Sequence, residues 1–120
     1  MALLLGSSSF ASGQVDTPKR LRSPANINGT IGGESHDSYV IRARKGQTMT
    51  VRISWRQEGD NRVDFSVSRA KSFFDSTPLK FGKESNNGKT WTGKIPTTRD
   101  YYIYVTAHPI ADYKLRVTVK

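Results

Sequence analysis

Alternation of apolar and polar residues marks most of this chain as β-structure. Between residues 39 and 55 the apolar side chains recur at every second position, as Tyr39, Ile41 and Ala43 and then as Met49, Val51, Ile53 and Trp55. The C-terminal segment repeats the pattern with Tyr113, Leu115, Val117 and Val119. Successive strand side chains point to opposite faces, so these rows predict strands with one buried and one wet face. We expect the two longest rows to meet across a dry core, either directly or through a sheet partner.

Turn signals separate these strands from others. Lys45-Gly46-Gln47 predicts a turn between paired strands, because glycine accepts a positive φ angle. Asn86-Asn87-Gly88 predicts a tight hairpin. Further strands are predicted over 25–31, 63–67, 89–95 and 101–105. Residues 72–75 suit either a loop or a short helical turn.

About eight short strands without helical periodicity predict an all-β fold, an antiparallel, jelly-roll-like β-sandwich over residues 25–120. Residues 15–24 contain two prolines and three basic residues and predict a linker. Residues 1–14 carry no charge and end in small residues, as in the remnant of an export signal or a disordered leader. No stretch approaches the roughly 20 apolar residues of a membrane span.

Candidate chemistry is sparse. The chain has no cysteine, which removes disulfides and thiolate metal sites from consideration. No Gly-x-Ser-x-Gly elbow is present, and neither His36 nor His108 has a recognisable catalytic neighbour. The oxygen-bearing turns 34–37 and 58–61 match no metal-loop pattern. We therefore expect no catalytic residue, no metal and no cofactor.

The net charge of the chain favours particular classes of binding partner. Nineteen Lys and Arg against ten Asp and Glu give a net charge of +9. Such a field favours an anionic glycan, acidic lipid head groups or an acidic protein partner, although it also serves solubility. Nucleic acid is the less favoured partner because the N-terminal segment resembles an export signal.

The candidate binding surface consists of basic and aromatic residues on outward strand faces: Arg42, Arg44, Arg52, Tyr102, Tyr104, Lys114 and Arg116. This set assumes that Tyr101, Ile103 and Val105 point inward. Exposed tyrosines could stack on sugars or anchor a protein interface, or could be cross-strand pairs that stabilise the sheet. Trp55 and Trp91 continue apolar rows and are predicted to lie in the core.

The order of these motifs resembles a known group of proteins. The segments are Gly29-Thr-Ile-Gly-Gly33, 37–51, Lys89-Thr-Trp-Thr-Gly-Lys-Ile-Pro96, Asp100-Tyr-Tyr-Ile-Tyr-Val105 and Asp112-Tyr-Lys-Leu-Arg-Val117. In this order they resemble small exported β-sandwiches related to bacterial pre-peptidase C-terminal domains, and most of all the periplasmic inhibitors of goose-type lysozyme. The connection Ala107-His-Pro-Ile-Ala-Asp112 is shorter than the charged loop common in those inhibitors.

That resemblance implies a periplasmic or secreted, non-catalytic binding protein that fills a goose-type lysozyme cleft with loop residues. Two alternatives stay open. One is a glycan-binding or cell-envelope adhesion module, and the other is an accessory domain like the pre-peptidase C-terminal domains.

Overall fold

The structure is a computed structural model that describes residues 17–75, 77, 79 and 81–120. The predicted leader, residues 1–14, lies outside the described residues. The strands are β1 (Lys19–Arg20), β2 (Ala25–Gly32), β3 (Asp37–Ala43), β4 (Thr48–Trp55), β5 (Arg62–Ser68), β6 (Lys83–Ser85), β7 (Thr90–Lys94), β8 (Arg99–His108) and β9 (Ile110–Val119). A 3₁₀ turn at Phe73–Asp75 answers the question that the sequence left open there.

The strands form two packed sheets, which confirms the β-sandwich. One sheet has four strands in the order β1-β3-β8-β5, and the other has five in the order β2-β9-β4-β7-β6. The β1–β3 pair is parallel, and the pairs within the rest of the described chain are antiparallel.

The core contains the apolar rows that the alternation predicts, but the rows of β4 and β9 do not face each other across it, contrary to what we expected. Ile53 pairs with Leu115 and Val51 with Val117, so the rows of β4 and β9 lie side by side in the same sheet. The residues that face them across the core come from the four-stranded sheet and include Tyr39, Ile41, Val63, Val67, Tyr101, Ile103 and Val105. Trp91 is 5% exposed, as predicted, whereas Trp55 at the end of β4 is half-buried.

Most connections cross from one sheet to the other. The expectation that Lys45-Gly46-Gln47 joins paired strands is therefore wrong, since β3 and β4 lie in different sheets. Gly46 has a φ of +93° and its N–H donates to the carbonyl of Ile95, which anchors the corner. The hairpin of β6 and β7 does turn at Asn86-Asn87-Gly88, with positive φ at all three residues.

Residues 19–21 belong to the sandwich, although the sequence placed its start at Ala25. Lys19 pairs with Tyr39 and Arg20 with Val40, and Leu21 is only 6% exposed. The prolines and basic residues there disfavour a central strand but permit a two-residue edge strand.

Candidate binding surfaces

The predicted surface residues divide between opposite sides of the sandwich. Arg52, Lys114 and Arg116 lie on the outer face of the five-stranded sheet. Arg42, Tyr102 and Tyr104 lie on the outer face of the four-stranded sheet, and Arg44 follows the end of β3. The sequence-predicted set therefore does not form one site.

On the four-stranded sheet the charge is partly compensated by Asp100. The Arg20 guanidinium donates to both carboxylate oxygens of Asp100, at 2.9 and 3.1 Å, and Arg42 Nη1 lies 3.7 Å away. The hydrogen bond and charge of Arg20 hold the pKa of the Asp100 carboxyl below its usual value. Asp100 is the second residue of β8. Because the pair is solvent-exposed, its contribution to stability is at most about 1 kcal/mol.

The two outward tyrosines of β8 differ in accessibility. Tyr104 is only 1% exposed, because the segment 69–75 lies over it: its hydroxyl donates to the carbonyl of Ala70, and the Phe73 ring is 5.6 Å away. Tyr102 is half-buried and stacks on Tyr104 at 6.5 Å. The strand phase is as predicted, but the expectation that Tyr104 is free to bind is wrong.

The outer face of the five-stranded sheet carries a concave surface, which we call the basic trough. Arg52 lies directly opposite Arg116 on the neighbouring strand, and both are exposed. The cations that line the basic trough are Arg52, Arg56, Lys114, Arg116 and Lys120. The polar neutral residues that line it are Asn26, Asn28, Thr30, Thr48, Thr50, Ser54, Asn86, Thr90 and Thr118.

A second surface was not predicted from the sequence. Gly32 pairs with Ile110 and Arg62 with His108, so three connections meet at one end of the sandwich. These are residues 33–36, residues 56–61 and the corner 108–110, and together we call them the three-loop tip.

Hydrogen bonds hold the three-loop tip together. The Gly33 N–H donates to the carbonyl of Pro109 at 2.8 Å. The side-chain amide of Asn61 donates to the carbonyls of Ile110 and Arg56, both at 3.1 Å. Asn61 is 3% exposed and its Oδ1 accepts from the backbone N–H of Glu58, so one buried side chain fixes two of the connections.

The tip combines apolar and acidic groups. Ile110 is 56% exposed and Phe74 79%, and these are the large exposed hydrophobic residues of the described chain. The Phe74 ring lies 6.2 Å from the imidazole of His36, which places it beside the tip. The carboxylates of the tip are Glu34, Glu58 and Asp60, all exposed, and its cation Arg56 lies 3.7 Å from Glu58. In the sequence, the signals for these features are the Phe73-Phe74 pair and the segment His108-Pro109-Ile110.

A buried hydrogen-bond chain joins the two sheets beneath the tip. The Tyr113 hydroxyl donates to Asp37 Oδ2 at 2.5 Å, and the Tyr39 and Tyr113 hydroxyl oxygens are 2.5 Å apart. Burial raises the pKa of both tyrosines. Gly29 lies against the Tyr113 ring so closely that a Cβ there would be 2.6 Å from it.

The described residues contain no group of three His, Asp or Glu side chains placed to hold a metal ion. Glu34, His36 and Asp37, which adjoin one another in the sequence, accordingly form no such group. The described residues also include no helix with the length and apolar character needed to cross a bilayer.

Comparison with known proteins supports the fold. No protein-family model matches the chain, and no curated protein matches it significantly. Among solved structures, Aeromonas hydrophila PliG, a periplasmic inhibitor of g-type lysozyme, is 20% identical with a TM-score of 0.69, covering 88% of this chain and 98% of its own. Salmonella Typhimurium PliG, of the same description, is 22% identical with a TM-score of 0.56, covering 88% and 99%.

The pre-peptidase C-terminal domain of collagenase from Bacillus anthracis is also similar. It is 17% identical with a TM-score of 0.59, covering 88% of this chain and 96% of its own. These matches extend over nearly the whole of each protein. The chain therefore has the β-sandwich fold shared by the PliG inhibitors and this pre-peptidase C-terminal domain.

Proposed function

We propose that this chain is a non-catalytic, periplasmic binding protein that inhibits g-type lysozyme by inserting the three-loop tip into the lysozyme cleft. The observation that carries this proposal is the tip itself, where hydrogen-bonded connections present an exposed isoleucine and also carry exposed carboxylates. The two inhibitor neighbours, which are named as periplasmic and match over almost their whole length, support the choice of partner and location.

Rigidity makes the tip suitable for insertion. Binding costs free energy when loops must become ordered, and loops already held together pay less of that cost. The hydrogen bonds from Gly33 to Pro109 and from Asn61 to Ile110 fix the corner from both sides. A few well-packed residues near the centre of an interface carry most of the binding energy, and in this proposal Ile110 would take that position.

Charge placement answers an objection to this partner. Lysozymes are commonly basic, and a protein of net charge +9 would be repelled at long range. The exposed carboxylates Glu34, Glu58 and Asp60 lie at the tip, whereas the trough cations other than Arg56 lie along the sheet. Since the Debye length is about 8 Å at physiological ionic strength, the tip carboxylates dominate the field at close approach.

Inhibition can be measured directly. Purified protein is titrated into goose-type, chicken-type and invertebrate-type lysozymes, and the lysis rate of bacterial cells is followed. We expect selective inhibition of the goose-type enzyme. Ile110→Ser should weaken inhibition at least tenfold without lowering the melting temperature, because the side chain is exposed. Absence of inhibition of all three enzymes at micromolar protein would remove the proposal.

A charge-matched pair tests the role of the carboxylates. Glu34→Gln removes one tip carboxylate, and Glu84→Gln removes one exposed carboxylate from β6. We expect Glu34→Gln to slow association with lysozyme more than Glu84→Gln at low salt. Equal effects of the two variants would show that the tip does not face the enzyme.

A further inference from the structure

We propose that the basic trough binds a linear acidic polysaccharide, at a site centred on Arg52 and Arg116 that meets the three-loop tip at Arg56. The trough consists of three adjoining concavities of about 690, 540 and 230 Å³ on the outer face of β2, β9 and β4. The first two share Asn28, Ser54 and Lys114, and the last two share Arg52 and Arg116. From Thr48 to Arg56 along β4 the trough is roughly 26 Å long, at about 3.3 Å per residue. Its shape therefore suits an extended chain.

The charges in the trough point to an anionic ligand. Arg52 and Arg116 lie directly opposite each other in the middle of the sheet, an arrangement that costs stability when no counter-charge is near. Within the described chain neither guanidinium forms an ion pair, and Arg116 Nη1 donates to the neutral amide of Asn26 at 2.9 Å. The carboxylate in the lining is Asp112, which accepts from the Thr30 hydroxyl at 2.6 Å.

The neutral residues of the trough favour a sugar chain. Guanidinium groups bind carboxylates or sulfates through paired hydrogen bonds. Between the cations the lining consists of Thr, Ser and Asn side chains, which can exchange hydrogen bonds with sugar hydroxyls. A polymer with alternating acidic groups and hydroxyls matches both kinds of side chain.

Nucleic acid and membrane surfaces match the trough less well. Single strands bind on rows of exposed aromatic side chains. The aromatic residues of the lining are Trp55 and Tyr113, both at one end; Tyr113 is 2% exposed, and Lys89 Nζ lies 4.8 Å over the Trp55 ring. Membrane-surface segments insert apolar side chains, and no exposed large hydrophobic residue of the described chain lies in the trough.

The experiment measures binding of the full chain to polygalacturonate oligomers at 50 and 200 mM salt, with neutral dextran, an oligothymidylate and vesicles containing anionic lipid as comparators. Arg52→Gln with Arg116→Gln removes the central cations. The control, Arg44→Gln with Lys71→Gln, removes the same charge from exposed residues outside the trough. We expect the trough variant to bind at least tenfold more weakly than the wild type. The slope of its log affinity against log salt concentration should be shallower by about two, because binding releases about two fewer counterions. The control should lose less than twofold.

Several results would overturn the proposal. These are no binding of polygalacturonate by the wild type at 50 mM salt, equal losses in the two variants, or tighter binding of oligothymidylate or anionic vesicles. The trough variant should fold at least as well as the wild type, because it removes a like-charge pair, and its melting temperature checks this. It should also retain lysozyme inhibition, so failure here is distinguishable from failure of the proposed function.

Discussion

Removing a single hydroxyl, by Tyr113→Phe, tests the hydrogen-bond chain that joins the two sheets. Tyr113 has one hydroxyl proton, and that proton is donated to Asp37 Oδ2. Tyr39 must therefore donate to Tyr113, although the distance alone permits either direction. The phenylalanine leaves the Asp37 carboxylate without this donor and the Tyr39 hydroxyl without this acceptor.

The structure sets the size of the effect. A hydrogen bond to a charged group contributes about 1.5 to 3 kcal/mol and a neutral one about 0.5 to 1.5 kcal/mol. Tyr113 is 2% exposed and Tyr39 6%, so water replaces neither contact freely. We expect Tyr113→Phe to cost about 2 to 4 kcal/mol, which corresponds to a melting temperature lower by on the order of 10 °C.

The direction of the protons predicts an order of effects. Tyr39→Phe leaves the bond from Tyr113 to Asp37 intact and should cost only about 0.5 to 1.5 kcal/mol. Tyr102→Phe is the control, because no hydrogen bond of its hydroxyl is present among the described residues and its ring is half-buried. The double change of Tyr39 and Tyr113 should cost no more than Tyr113→Phe alone, since the two hydroxyls act as one unit.

Chemical denaturation with urea measures the free energy of unfolding of each variant, and calorimetry gives its melting temperature. If Tyr39→Phe proved as damaging as Tyr113→Phe, the assigned proton order would be refuted. If both proved as mild as Tyr102→Phe, the hydrogen-bond chain would have no part in holding the sheets together.

Two further predictions concern stability. Because burial raises the pKa of Tyr113 above the unfolded value near 10, its contribution is complete below about pH 10 and falls as pH rises above it, by about 1.4 kcal/mol per unit; Tyr113→Phe should weaken the alkaline slope of unfolding measured in urea, and an unchanged slope would refute this. Ile53→Ala and Leu115→Ala should each cost about 2 to 5 kcal/mol, whereas Arg52→Ala and Arg116→Ala should be neutral or slightly stabilising because they separate like charges. Arginine changes as damaging as the core changes would show the strand phase to be wrong.

The face of the sheet on which each side chain lies was predictable from the sequence, because it depends on the local alternation of apolar and polar residues. Ile53, Leu115 and Ile103 are all buried, as the rows require. Strand order is different, because it depends on which sheet each strand joins after a corner. The expected adjacency of β3 and β4 failed for that reason. The sequence likewise left open whether Arg42 and Arg52 share a sheet, and they do not.

Accessibility also depends on distant segments. Tyr104 points outward as predicted, but residues 69–75 return over it and its hydroxyl bonds to Ala70. The course of residues 69–75 over the sheet has no periodic signal in the sequence. The strand β6 was missed for a related reason, since Lys83-Glu84-Ser85 has no apolar alternation and is held through its pairing with β7.

Net charge alone gives a misleading view of which partner this protein approaches. The value of +9 is a sum over the molecule, whereas a partner within a Debye length responds to the nearest groups. The trough cations other than Arg56 occupy the outer face of one sheet, while Glu34, Glu58 and Asp60 occupy loops at its end. A basic protein at the tip and an acidic polymer in the trough would therefore meet surfaces of opposite sign on the same sandwich. Their proposed central contacts lie apart, since Arg52 is opposite Arg116 and Ile110 is six residues from Arg116 along β9, roughly 20 Å at about 3.3 Å per residue.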